Sequence, residues 1–186
     1  WRNLPRIYVK MNFEIAKEKK VLVTGGTGFI AGWIIKQLVE AGVSVHATVR
    51  DPSDVDKVSH LLDLSKKGPG KVILFKANLL ETGSFDAAIE DCSIVFHTAS
   101  PFVFKFNDPV RDFIDPALKG TQNVLESINS TASVERVVLT SSCTAIYGDA
   151  NECELAPNKT LNEEIWNTTS SVSHQPYSYS KTIAEQ

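Results

Sequence analysis

Tyr177 and Lys181 stand four residues apart, a spacing that on a helix puts both on one face, one turn from each other, where they reach the same ligand. A phenol of ordinary pKa near 10 is only about 0.1% ionised at pH 7, so it exchanges protons usefully when a neighbouring cation favours the phenolate. Lys181 can supply that charge and also hold a ribose hydroxyl. Ser142 offers a hydroxyl that can hold a carbonyl or alcohol oxygen while Tyr177 gives or takes its proton. Tyr179 lies two residues from Lys181 on another face and does not substitute. The Y-x-x-x-K spacing also recurs on helices where tyrosine packs and lysine snorkels, so it points to chemistry only in company with the rest of the chain.

That company begins at Val21-Leu22-Val23-Thr24-Gly25-Gly26-Thr27-Gly28-Phe29-Ile30-Ala31-Gly32, which reads as a strand, a tight turn and a helix start. Gly26 to Ala31 fits the G-x-G-x-x-G/A fingerprint, in which glycines let the backbone approach a pyrophosphate and a small third residue lets helix pack on strand. Apolar residues Phe29, Ile30, Trp33, Ile34, Leu38 and Val39 recur at helical spacing, and Gly42 is placed to close the helix. Residues 43–49 alternate as a second strand, so the unit is βαβ with parallel strands. That strand ends at Arg50, about 20 residues past the glycine turn, where the fingerprint needs a reader of the adenosine ribose. Arg50 offers a forked cation for a 2′-phosphate and Lys57 a second charge, which favours NADP(H) over NAD(H). Asp51 is the competing reader, because a carboxylate there would take the ribose hydroxyls of NAD.

Further along, residues 55–64 carry Val58, Leu61, Leu62 and Leu64 as a helical face, Gly68-Pro69-Gly70 makes a turn, and residues 72–76 form a third strand. Ser84 is placed to cap a short helix over 85–89. Residues 94–98 form a fourth strand that ends in Ala99-Ser100-Pro101, with His97 expected as a hydrogen-bonded core residue. A long helix over 109–128 contains Pro116 and should kink there or begin after it. A fifth strand over 137–140 delivers Ser141 and Ser142 to its carboxyl end, the ligand side of an open parallel sheet. Residues 148–173 read as a long polar loop with a helical turn around 163–166. The pattern predicts an α/β, Rossmann-type doubly wound parallel sheet.

The chain has 186 residues, 42% of them hydrophobic and 22% charged, with net charge −3. That balance gives no electrostatic footprint for nucleic acid or an anionic membrane, and a small molecule is the expected partner. No apolar run reaches the roughly 20 residues that span a bilayer, and no secretory h-region precedes the first strand, so a cytoplasmic protein is expected. Cys92, Cys143 and Cys153 lack the spacing of a zinc site or a disulfide framework, and no metal is expected. Residues 1–19 read as a leader and residues 20–186 as the NAD(P)-binding domain. The first residue is Trp1, and the last helical pattern stops at Gln186 without a stop signal, so an amino-terminal piece of a longer protein is expected.

Thr24 to Ile30, Thr48-Val49-Arg50-Asp51-Pro52, Phe96 to Pro101, Thr140-Ser141-Ser142 and Tyr177 to Lys181 together resemble the extended short-chain dehydrogenases/reductases. Within them the chain is most similar to the dihydroflavonol 4-reductase and cinnamoyl-CoA reductase branch. The resemblance implies an NADPH-dependent reduction of a ketone or aldehyde, with Ser142, Tyr177 and Lys181 as the catalytic residues. It also implies Gly25, Gly28, Phe29 and Ile30 at the pyrophosphate, Arg50 and Lys57 at the 2′-phosphate, and Thr98, Ala99 and Ser100 along the cofactor. Asn78, followed by Leu79, stands where the family has an aspartate near the adenine, and Ala31 where it has a third glycine. The family continues into another strand and a substrate domain. Two other readings share this framework: an NAD-dependent nucleotide-sugar epimerase or dehydratase, and a dinucleotide-binding module without chemistry.

Overall fold

A computed structural model describes residues 19–101 and 105–186. The leader expected over residues 1–19 lies, but for Lys19, outside the described residues. Among the described residues five strands form one sheet in the order β3-β2-β1-β4-β5: β1 (Lys20–Val23), β2 (Ser44–Val49), β3 (Lys71–Lys76), β4 (Cys92–His97) and β5 (Arg136–Leu139). Every pairing is parallel. Parallel strands need crossovers, and these are α1 (Phe29–Glu40), α2 (Val55–Lys67), the short α3 (Asp86–Ile89) and α4 (Asp115–Asn129).

Because successive side chains of a strand point to opposite faces, the run Val21-Leu22-Val23 is buried on both. Val21 and Val23 join Ala31, Ile35, Val45, Val58 and Leu61 in one core. Leu22 joins Phe85, Ile89, Val95, Val124 and Ile128 in the other. The winding reverses at β1, which pairs with β2 on one side and β4 on the other. The crevice beyond the carboxyl ends of β1 and β4 is thus the switch point where such sheets bind ligands.

Several local expectations are corrected. The buried face of α1 is Ala31, Ile35, Leu38 and Val39, whereas Phe29, Ile30 and Trp33 are 83%, 54% and 51% exposed. Leu62 is likewise exposed on α2. Ser84 does not cap a helix, since its hydroxyl bonds both the carbonyl and the amide of Asn78. Pro116 causes no break: a π-helical turn, Val110–Ile114, precedes α4, and the Asp115 amide reaches back to the Val110 carbonyl. That wider turn brings the proline in near the start of α4, where its missing N–H costs nothing. The loop's helical pieces are α5 (Glu152–Leu155) and a 3-10 turn at Pro157–Lys159, and near the turn expected around residues 163–166 the Ile165 amide donates to the Asn162 carbonyl at 3.2 Å without forming a helix. Helix α6 (Pro176–Glu185) completes the described fold. No helix among the described residues is long and apolar enough to cross a membrane.

Candidate active site

The glycine turn is held by its neighbours on both sides. The Gly25 amide donates to the Thr48 hydroxyl at 3.2 Å, and the Gly26 amide to the Thr48 carbonyl at 2.8 Å. Gly25 sits at φ +69, and a Cβ there would lie 3.0 Å from Ala99 Cα, so only glycine lets the turn lie against the end of β4. Gly28 is the N-cap of α1 and brings no capping side chain, and the first turn holds no acidic residue. The amides of Phe29, Ile30 and Ala31 thus remain available, with the helix dipole, for an anion. Ala31 is buried against the sheet, and a Cβ on Gly32 would meet nothing, so the alanine fills the close-packing position.

Beyond β2, Arg50 is exposed. Asp51 is turned back on its own loop, accepting from the amide and hydroxyl of Ser53 at 2.9 and 2.6 Å, and these bonds hold its carboxyl below the usual range. Lys57 forms an ion pair with Asp54 at 2.5 Å, and Asp54 is the N-cap of α2. The two cations therefore differ, with Lys57 engaged locally. Asn78 uses its side-chain oxygen on the Leu80 amide at 3.2 Å. Leu79 packs on Gly120 of α4 and gives its carbonyl to Asn123 at 3.2 Å.

The catalytic candidates converge. Pairing of β5 with β4 continues one step past the strand, where the Thr140 amide donates to the His97 carbonyl, and Ser141 and Ser142 follow. Ser142 Oγ accepts from the Thr144 amide and hydroxyl at 3.3 and 3.0 Å. With its lone pairs so used, its proton is free to serve the Tyr177 phenol, whose ionised form the Ser142 hydroxyl favours. The Tyr177 ring meets Phe113 edge-on, centroids 6.1 Å apart, and Lys181 Nζ lies 5.9 Å from the Tyr177 ring centre. Lys181 is only 8% exposed, and burial lowers its pKa. Burial also raises the Tyr177 pKa, with the Ser142 bond opposing. Ser100, His97, Thr121, Ser141 and Glu185 share a cavity with Lys181.

Sequence reasoning passed over three residues. Thr24 accepts from the Thr98 and Ala99 amides at 3.1 and 3.0 Å, so it fixes the strand end beside the glycine turn. Thr144 orients Ser142. Asn167 pins the long loop by donating to the Thr144 carbonyl at 2.8 Å and accepting from the amides of Thr169 and Ser170. The position of Thr24 next to the glycines was a usable signal; for Thr144 and Asn167 nothing in the spacing announced it.

The model of the NAD dependent epimerase/dehydratase family matches residues 21–186. The chain belongs to that family. It is 46% identical over 169 residues to a cinnamoyl-CoA reductase of Medicago truncatula, covering 89% of this chain and 51% of the relative. It is 37% identical over 166 residues to a dihydroflavonol 4-reductase of Gerbera hybrida, covering 89% and 45%. Among solved structures it superposes on the yeast methylglyoxal/isovaleraldehyde reductase complexed with NADPH, with TM-score 0.75 and 34% identity over 89% of this chain and 50% of that one. The chain spans about half the length of the curated relatives it matches. A UDP-glucose 4-epimerase shares the fold at 21% identity and TM-score 0.68.

Proposed function

We propose that the protein reduces a ketone or aldehyde to an alcohol with NADPH. The observation that carries this reading is the convergence of Ser142, Tyr177 and Lys181, with the Ser142 hydroxyl favouring the Tyr177 phenolate and Lys181 lying 5.9 Å from the Tyr177 ring centre. The residues fit a dinucleotide: the side-chain-free bend at Gly25 and the uncapped start of α1 suit a diphosphate, and Arg50 suits a 2′-phosphate. When bound, NADPH supplies the hydride that the carbonyl carbon receives. Ser142 orients the carbonyl oxygen, and Tyr177 protonates it as charge develops there. A phenol kept protonated by burial is the form that this direction requires. Lys181 holds the nicotinamide ribose. Gly25, Gly28, Phe29 and Ile30 line the diphosphate, and Thr98, Ala99 and Ser100 the path toward the nicotinamide. The cytoplasm is the proposed location, in keeping with the free thiols of Cys92, Cys143 and Cys153.

The test is NADPH oxidation by the product of the complete gene against a panel of aldehydes and ketones. Turnover should appear in the wild type and fall at least about 100-fold in Tyr177→Phe, as loss of a general acid does. Unchanged turnover in that variant removes the acid role. A tightly retained NAD with no net consumption of NADPH would instead assign the protein to sugar epimerisation.

A further inference from the structure

His97 closes β4, is 3% exposed, and takes no part in the reduction proposed above. Its surroundings nevertheless decide which ring nitrogen bears the proton. Thr24 Oγ1 accepts the Thr98 and Ala99 amides, and these two bonds use both acceptor sites of a hydroxyl. Its own proton therefore goes to His97 Nδ1, 2.8 Å away. Nδ1 must then be the bare nitrogen and Nε2 the protonated one. Nε2 faces Thr121 Oγ1 at 3.5 Å and the cavity shared with Lys181.

We infer that His97, as the neutral Nε2–H tautomer, is a positioning residue for NADPH: by accepting the Thr24 hydroxyl it locks the Thr98 and Ala99 amides, and with them the end of β4, against the glycine turn. This rests on the reading of the cleft as a nucleotide site. The lock matters because clearance is small, a Cβ on Gly25 lying 3.0 Å from Ala99 Cα. Any drift of Ala99 narrows the crevice in which the diphosphate would lie. Protonating Nδ1 would turn it into a donor toward an oxygen whose acceptor sites are taken, so one of the two amides would lose its partner. The titratable groups facing His97 across the cavity are Lys181 and Glu185 of α6, and Ser141 bonds the Glu185 carboxylate. Thr121 faces it from α4 and Thr24 from β1's end. Burial, helped by the Lys181 charge, holds His97 at a pKa of about 4, so the neutral form persists at physiological pH.

Two measurements judge the inference, both on the product of the complete gene. Nitrogen-15 NMR of the histidines, without nucleotide, should show His97 with Nε2 protonated and Nδ1 hydrogen bonded at neutral pH; an Nδ1–H signal overturns the inference. NADPH titrations followed by fluorescence should give a dissociation constant about tenfold higher for His97→Leu and Thr24→Val, the effect of losing one such bond. His97→Asn, whose side chain can reach the Nδ1 position, and Thr24→Ser should stay within about threefold of wild type. Wild-type affinity in His97→Leu overturns the inference. If the wild type binds no NADPH, the nucleotide reading fails; amide exchange at Thr98 and Ala99, expected to speed up in His97→Leu, then decides whether the lock exists.

Discussion

Each reactive group of the cleft takes its character from where it is buried. The Lys181 ammonium meets the Tyr177 ring but finds no hydrogen-bond acceptor among the described residues, so a ribose hydroxyl would complete it. Asp51 and Arg50 are chain neighbours with opposite availability: the carboxylate is spent on Ser53, while the guanidinium has no ion-pair partner among the described residues. This asymmetry predicts that Arg50→Ala raises the KM for NADPH about 10–100-fold, the range for a charged hydrogen bond, and leaves the KM for NADH nearly unchanged. Steady-state assays with both nucleotides check it. Lys57→Ala should have the smaller effect, because Asp54 already holds that ammonium.

Elements set the phase of these residues. Helix α1 carries apolar side chains on more than one face, so periodicity alone does not say which face turns inward. The glycine bend does, by fixing the direction of the first turn and pressing Ala31 and Ile35 on the sheet. Gly25→Ala should therefore cost about 1–3 kcal/mol from the left-handed backbone and its contact with Ala99, read as a lower urea midpoint at unchanged slope. The long loop is fixed at Asn167, whose side chain bonds Thr144 on one side and Thr169 and Ser170 on the other. Asn167→Ala should cost about 1–3 kcal/mol. It should also open residues 148–173 to limited proteolysis and lower kcat by loosening the turn that presents Ser142.

For the molecule as a whole, acid is the revealing stress. His97 and His46 are both buried, and burial lowers both pKa values, that of His97 to about 4. A histidine whose folded pKa is depressed binds fewer protons than in the unfolded chain, whose value is near 6.5. Stability is thus full above about pH 6.5 and is lost as pH falls from there toward 4. For His97 the loss is up to about 3 kcal/mol. Urea titrations at pH 7 and pH 4.5 should show it, and His97→Asn should flatten the dependence.

The sheet, its strand sequence and the placement of the candidate residues at its carboxyl edge were legible in the sequence because they follow from local chemistry. Buried parallel strands need unbroken apolar runs, a tight phosphate turn needs glycines, and a shared helical face needs a four-residue step. The family followed from the order of those motifs. Tertiary structure alone decided which of two neighbouring charges stays available, which face of α1 is covered, and which polar side chains brace Ser142 and the end of β4. Those outcomes depend on contacts between residues far apart in the chain, such as Thr24 with Ala99 and Asn167 with Thr144, where a hydrogen bond exists only once the sheet has brought its two halves together.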